Sequence, residues 1–145
     1  MSKPHACRAL VIHCMDYRLT ESIHDFLGSL DLRDQYDEVS LAGAAKGIAD
    51  GDSEITDVIL KQIKTAHDLH GIQDVFLMHH TDCGAYGGRA AFTSANEERE
   101  RHLADMHRAA DVLREQYPDL TYHFVLARID EHDQVDFEYS NSQHE

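Results

Sequence analysis

Apolar and polar positions alternate along this chain in blocks rather than singly. Arg8 to Cys14 (Arg-Ala-Leu-Val-Ile-His-Cys) is a short apolar run that stops at the polar cluster Met15-Asp16-Tyr17-Arg18, as a strand buried on both faces of a parallel sheet does. From Thr20, read as an N-cap, the positions Ile23, Phe26, Leu27 and Leu30 recur at helical spacing. Glu38 to Ala42 is a second short strand, and Gly43 with the small residues after it marks a turn. A long amphipathic helix follows from Ser53, with Ile55, Val58, Ile59, Ile63, Ala66 and Leu69 on its apolar face and Gly71 placed to end it. Asp74 to His79 is a third strand, and Thr81 to Gly88 a polar, glycine-rich loop. Leu103, Met106, Ala110, Leu113 and Tyr117 set out a further helix that Pro118 closes. Thr121 to Ile129 is the last strong strand, and Val135 to Tyr139 adds an edge strand.

Strand followed by helix, repeated, predicts an α/β fold of three layers: a central, mainly parallel sheet flanked by helices. In such sheets ligands collect at the carboxyl ends of the strands. Cys14 to Arg18 follows the first strand and His80 to Cys83 follows the third, so two segments far apart in the chain are expected to meet in one site.

The chemistry of those segments sharpens the picture. Cys14-Met15-Asp16-Tyr17-Arg18 and His80-Thr81-Asp82-Cys83 supply two thiols, an imidazole and carboxylates, the donor types that zinc takes in tetrahedral sites. Taken singly, a cysteine at a strand end is an ordinary small buried hydrophobe. A cysteine nucleophile, Cys83 activated by His80, is the alternative chemistry, and it requires a free thiolate and no metal. Cys7 has no partner close in sequence and reads as a packed thiol.

Length and charge then narrow the class. The 145 residues, 42% of them hydrophobic, suit a single domain spanning 1–145. A formal net charge of -14, from 27 acidic against 13 basic residues, disfavours nucleic acid and anionic membranes as partners. An odd count of three cysteines fits a reducing compartment better than a disulfide framework. With no apolar stretch of signal-peptide type ahead of Arg8, the expected location is the cytoplasm.

At these residues the sequence resembles the β-class carbonic anhydrases, whose signatures are Cys-x-Asp-x-Arg after the first strand and His-x-x-Cys-Gly after the third. Both stand here in that order, as Cys14 to Arg18 and His80 to Gly84. Leu41-Ala42-Gly43 is similar to the family's Asn-Ala-Gly segment, and Ala127 to Asp130 and on to Phe137 is similar to its closing strand and turn. The resemblance implies the sheet order second, first, third, fourth. It also implies zinc ligation by Cys14, His80 and Cys83, with water or Asp16 in the fourth position. Arg18 is then the residue that holds Asp16 off the metal in an open form, while in a closed form Asp16 ligates. Asp16 and Arg18 are thus the implied catalytic residues, and Gly84 the implied substrate neighbour. The implied reaction is reversible hydration of carbon dioxide to bicarbonate by a metal-bound hydroxide, in a homodimer or larger homo-oligomer. A related zinc hydrolase acting on carbonyl sulfide or carbon disulfide and a non-catalytic zinc module are the two alternatives. His79, His13, His5 and Tyr17 are the nearby candidates for moving protons, with His79 expected to point to the opposite face of its strand in a structural or surface role. The sequence departs from the family pattern in four respects: Ser40 and Leu41 stand where it has arginine and asparagine, Tyr17 where it has a small residue, and no glutamine precedes Gln35.

Overall fold

The computed structural model describes residues 5–141. Its centre is a five-stranded sheet in the order β2-β1-β3-β4-β5, with β1 at Ala9–His13, β2 at Tyr36–Ser40, β3 at Asp74–His80, β4 at Thr121–Ile129 and β5 at Val135–Asn141. The first four strands run parallel, and β5 turns back antiparallel against β4. The expected three-layer architecture, strand order and edge strand are therefore present.

Every residue of β1 and β3 is buried, because these strands lie inside the sheet with helices on both faces. Leu10, Ile12, Val75 and Leu77 point to one face with Ile59, Ile63 and Leu113, while Val11, Phe76 and Met78 point to the other with Ile23 and Leu27. Burying each such aliphatic side chain contributes about 1.5–3 kcal/mol before entropy is counted. The helices are α1 (Thr20–Ser29), α2 (Lys46–Ala49), α3 (Ser53–His70) and α4 (Ala95–Arg114).

Several boundaries differ from the sequence reading. Thr20 is the first residue of α1 rather than its cap, because a 3-10 turn over Tyr17–Leu19, capped by Asp16, feeds directly into the helix. β2 begins at Tyr36 and ends at Ser40; Gly43 and Ala44 then adopt positive φ, 78° and 52°, which no strand accommodates. The helix expected from Leu103 starts at Ala95, where Ser94 accepts from the Glu97 N–H at 3.0 Å and Thr93 donates to the Glu97 carboxylate at 2.6 Å. On α3 the buried stripe is Ile59, Ile63 and Ala66, whereas Val58 and Leu69, assigned to the apolar face from spacing, are 53% and 55% exposed. The single helix stripe that the sheet covers is narrower than the run of apolar residues.

Candidate metal centre

Cys14 directly follows β1, His80 ends β3, and Cys83 opens the loop beyond it. Because β1 and β3 are hydrogen-bonded neighbours in register, their carboxyl ends bring the three side chains together across 66 residues of sequence. One donor atom of each lies within 4.8 Å of the others, and all three residues are buried. The two sulfurs are 4.0 Å apart.

The donor set fits a divalent metal of the zinc type on a specific observation. His80 Nδ1 sits 2.7 Å from the Thr81 carbonyl, which can only accept, so Nδ1 carries the proton and Nε2 of the neutral ring keeps its lone pair. That Nε2 is buried and has no hydrogen-bond partner among the described residues. An unpartnered buried acceptor facing two thiols is costly in an apo protein and is what a soft-donor metal site needs. Within the thiol pair, the hydrogen bond from Cys83 pushes the Cys14 thiol down, while Cys83 is pushed up by the same contact.

Asp16 stands at the edge of this cluster, its Oδ2 3.9 Å from His80 Nε2. It is turned toward Arg18, which donates from Nε to Oδ1 at 3.1 Å and from Nη2 to Oδ2 at 2.8 Å. This side-on fork, with a further bond from the Arg18 backbone N–H, holds the Asp16 carboxyl below the usual carboxylate range. Arg18 also reaches a second acid: Nη1 donates to Asp82 Oδ2 at 3.2 Å and Nη2 to the Asp82 carbonyl at 3.1 Å. The Arg89 backbone N–H, and then Arg18, hold the Asp82 carboxyl low.

Asp82 went unassigned in the sequence reading, and its backbone shows what the position demands. Its φ is 56°, a left-handed conformation that asparagine and aspartate tolerate better than other side chains because they bond locally. Gly88, at φ 78°, lets the loop close over it: a Cβ there would lie 3.2 Å from Asp82 Oδ1. Gly43 has a matching role across the site, where a Cβ would come within 3.0 Å of Ala85. Gly84, by contrast, has open space where a Cβ would be.

Beneath the loop lies a polar layer contributed by α4, also missed because its residues sit among charges that read as a solvated face. Glu98, His102 and Asp105 are buried. Glu98 accepts from the Asp82 N–H at 2.7 Å, and Asp105 accepts from Tyr86, Arg101 and Arg108. His79 is buried rather than on the surface: its Nε2 accepts from the Ala45 N–H at 3.2 Å and its Nδ1 lies 3.0 Å from His102 Nδ1. The backbone donor fixes the tautomers in turn. With Nε2 accepting, His79 carries its proton on Nδ1 and donates to His102, whose own proton is then on Nε2. Burial pushes both rings down, His102 to about 4 and His79 well below its ordinary value, so both are neutral at neutral pH. The signal available in sequence was the Ser94-x-x-Glu97 cap, which would have set the helix early enough to place Glu98, His102 and Asp105 on one face.

The remaining proton-carrier candidates are scattered. His13 is held by Glu38 at 2.7 Å and the Cys14 carbonyl at 2.9 Å, Tyr17 is 85% exposed, and His5 packs on His70 at the other end of the sheet.

A family model described as "Putative carbonic anhydrase" matches residues 5–135. The chain belongs to that family. It is 30% identical to an uncharacterized protein of Rickettsia conorii over 125 residues, 83% of this chain and 67% of that one. An uncharacterized protein of Rickettsia bellii is 29% identical over 83% of this chain and 76% of its own length. Among solved structures, a carbonic anhydrase from Streptococcus mutans has a TM-score of 0.61 at 18% identity, covering 94% of this chain and 86% of that one. A tetrameric β-carbonic anhydrase from Sordaria macrospora has a TM-score of 0.52 at 16% identity, covering 96% and 84%. The chain therefore has the β-carbonic anhydrase fold and, within it, a Cys-His-Cys group able to take a metal ion. No helix among the described residues is long and apolar enough to cross a membrane.

Proposed function

We propose that this protein is a zinc-dependent carbonic anhydrase that hydrates carbon dioxide to bicarbonate at the Cys14, His80 and Cys83 cluster, with Asp16 and Arg18 as its catalytic pair. The observation that carries the reading is the buried, unpartnered Nε2 of His80, set between two thiols and within 3.9 Å of a carboxylate that an arginine holds aside. When bound there by the two sulfurs and the imidazole, zinc supplies Lewis acidity that makes a coordinated water acidic enough to ionise near neutral pH.

The chain's own residues do the rest. Thr81 fixes the tautomer and direction of His80 through its carbonyl and ties the loop to β4 through its hydroxyl, which accepts from the Ile129 N–H at 2.9 Å. Arg18 keeps Asp16 oriented as an anion, able to accept a hydrogen bond from a water beside it and to orient that water's lone pair toward the substrate carbon. Carbon dioxide is small and neutral, so it needs no charged anchor on entry; Gly84 leaves space beside Cys83 for it. By similarity to the tetrameric Sordaria protein the working unit is a homo-oligomer, with Met15 and Tyr17, 65% and 85% exposed next to the site, as the apolar surface a neighbouring copy would cover. The cytoplasm is its proposed location.

Zinc analysis joined to stopped-flow hydration tests this directly. The expected result is about one zinc at this cluster per chain, hydration above the buffer rate that rises with pH, and loss of both in Cys83→Ala. Carbonyl sulfide and carbon disulfide belong on the same preparation: turnover of either with none of carbon dioxide assigns the related hydrolase, and fully zinc-loaded protein inert toward all three is a non-catalytic module. Light scattering decides the assembly.

A further inference from the structure

A second group of metal-binding side chains lies at the opposite end of the sheet. Cys7 precedes β1, Asp37 is near the start of β2, and His70 is the last residue of α3. One donor atom from each falls within 4.8 Å of the others, and all three residues are partly buried. The backbone holds them there: the Cys7 N–H donates to the His70 carbonyl at 3.0 Å, Asp37 pairs with Leu10 in the sheet, and Gly71, at φ 64°, ends α3 immediately after His70. His70 Nδ1 and Asp37 Oδ2 meet at 2.7 Å, and the His5 ring packs edge-on against His70 with centroids 4.8 Å apart.

We propose that Cys7, Asp37 and His70 form a second, exchangeable site for a divalent transition-metal ion of the zinc class. One thiol, one imidazole and one carboxylate make a mixed donor set that suits zinc or cobalt, with solvent filling the open position. Magnesium and calcium, which require several oxygen donors, do not match it. Cys7, His70 and Gln73 line an open groove, so an ion has a path in and out, unlike the buried cluster at the other end. On binding, the Cys7 S–H bond is lost and its proton passes to solvent, and the His70 nitrogen that ligates the ion does so through its lone pair, with the ring proton on the other nitrogen. Because the ligating form of Cys7 is the thiolate, its proton competes with the ion and affinity rises with pH. An occupied site ties the segment before β1 to both β2 and α3.

The test uses the full-length protein stripped with chelator and dialysed against a modest excess of Zn2+ and, separately, Co2+. Wild-type protein should bind one more equivalent than Cys7→Ser or His70→Gln, and the Co2+ form of Cys14→Ser/Cys83→Ser should retain near-ultraviolet sulfur-to-cobalt absorption from Cys7 alone. Independently of that double variant's folding, Zn2+ should protect Cys7 of the wild-type chain from alkylation, read by peptide mass, and Asp37→Asn should weaken the protection. A zinc count unchanged by Cys7→Ser and His70→Gln means that the chain's 12 histidines bind the ion adventitiously, and this overturns the proposal. Cys7 that alkylates equally with and without Zn2+ overturns it as well. Neither result bears on the first cluster, for which Cys83→Ala is the separate test.

Discussion

Replacing Arg18 by alanine separates a switch from a salt bridge. Arg18 gives Asp16 a two-pronged contact at 2.8 and 3.1 Å and spends its remaining donors on the Asp82 side chain and carbonyl at 3.2 and 3.1 Å. The Arg18 and Asp16 side chains are 22% and 16% exposed, between the open surface, where an ion pair contributes about 0–1 kcal/mol, and the interior, where breaking one costs about 3–5 kcal/mol. A loss of about 2 kcal/mol in unfolding free energy is therefore expected for Arg18→Ala in chelated protein at neutral pH, from urea denaturation. Arg18→Lys should recover part of it, because an ammonium keeps the charge but lacks the fork.

The pH dependence follows from the carboxylate. Its pKa is lower in the folded protein than in the unfolded chain, so the contribution is present above the unfolded value of about 3.9 and is lost as pH falls through the depressed folded value. Arg18→Ala should thus lose its stability difference from wild type in strong acid. Functionally, Asp16 Oδ2 already lies 3.9 Å from His80 Nε2, and once unpinned the carboxylate can swing to the fourth coordination position. Zinc content should stay unchanged while hydration, followed by stopped-flow with a pH indicator, falls to the buffer rate. An Arg18→Ala enzyme with full activity would refute the reasoning and leave the pair as a structural contact only; one that loses its zinc would show that Arg18 supports the ligands themselves.

Two further outcomes follow from the loop and the polar layer. Thr81→Val leaves the buried Ile129 N–H without its acceptor and should cost about 1–3 kcal/mol in urea unfolding, whereas Thr81→Ser, which keeps the oxygen, should cost less. His102, at about 4 in the folded protein against about 6.5 unfolded, makes the unfolded chain the better proton binder between those values, so stability falls as pH drops from about 6.5 to about 4. His102→Gln should remove up to about 1.4 kcal/mol per pH unit from that slope; equal slopes in wild type and variant would mean that the ring is not buried neutral.

The sheet was legible because its strands are buried on both faces. Ala9 to His13 and Asp74 to His80 have no solvent side to break the apolar run, so each announces itself without periodicity. β2, at the sheet's edge, has only half-buried and exposed positions in Tyr-Asp-Glu-Val-Ser, and its start lies two residues before the one the apolar pattern marks. The meeting of Cys14, His80 and Cys83 was legible for a related reason: two segments at the carboxyl ends of neighbouring parallel strands are brought together by the sheet itself. What stayed hidden is whatever depends on how a charged helix is rotated. Mean hydropathy is low along α4, yet Glu98, His102 and Asp105 turn inward, each at helical spacing from the next and each facing a partner supplied by a different segment. Sequence lists the charges, but whether a carboxylate is solvated or buried against a loop N–H is decided only when α4 is laid across β3 and β4. The same limit applies to Cys7. Its partners Asp37 and His70 are 30 and 63 positions away, and only the parallel pairing of β1 with β2, together with the return of α3 to the amino-terminal end of the sheet, brings them within reach. Parallel topology returns the chain to the same sheet end after each crossover, so it gathers side chains at both ends by one construction. The carboxyl ends hold Cys14 and His80, and the amino-terminal ends, by the same geometry, hold Cys7 and Asp37.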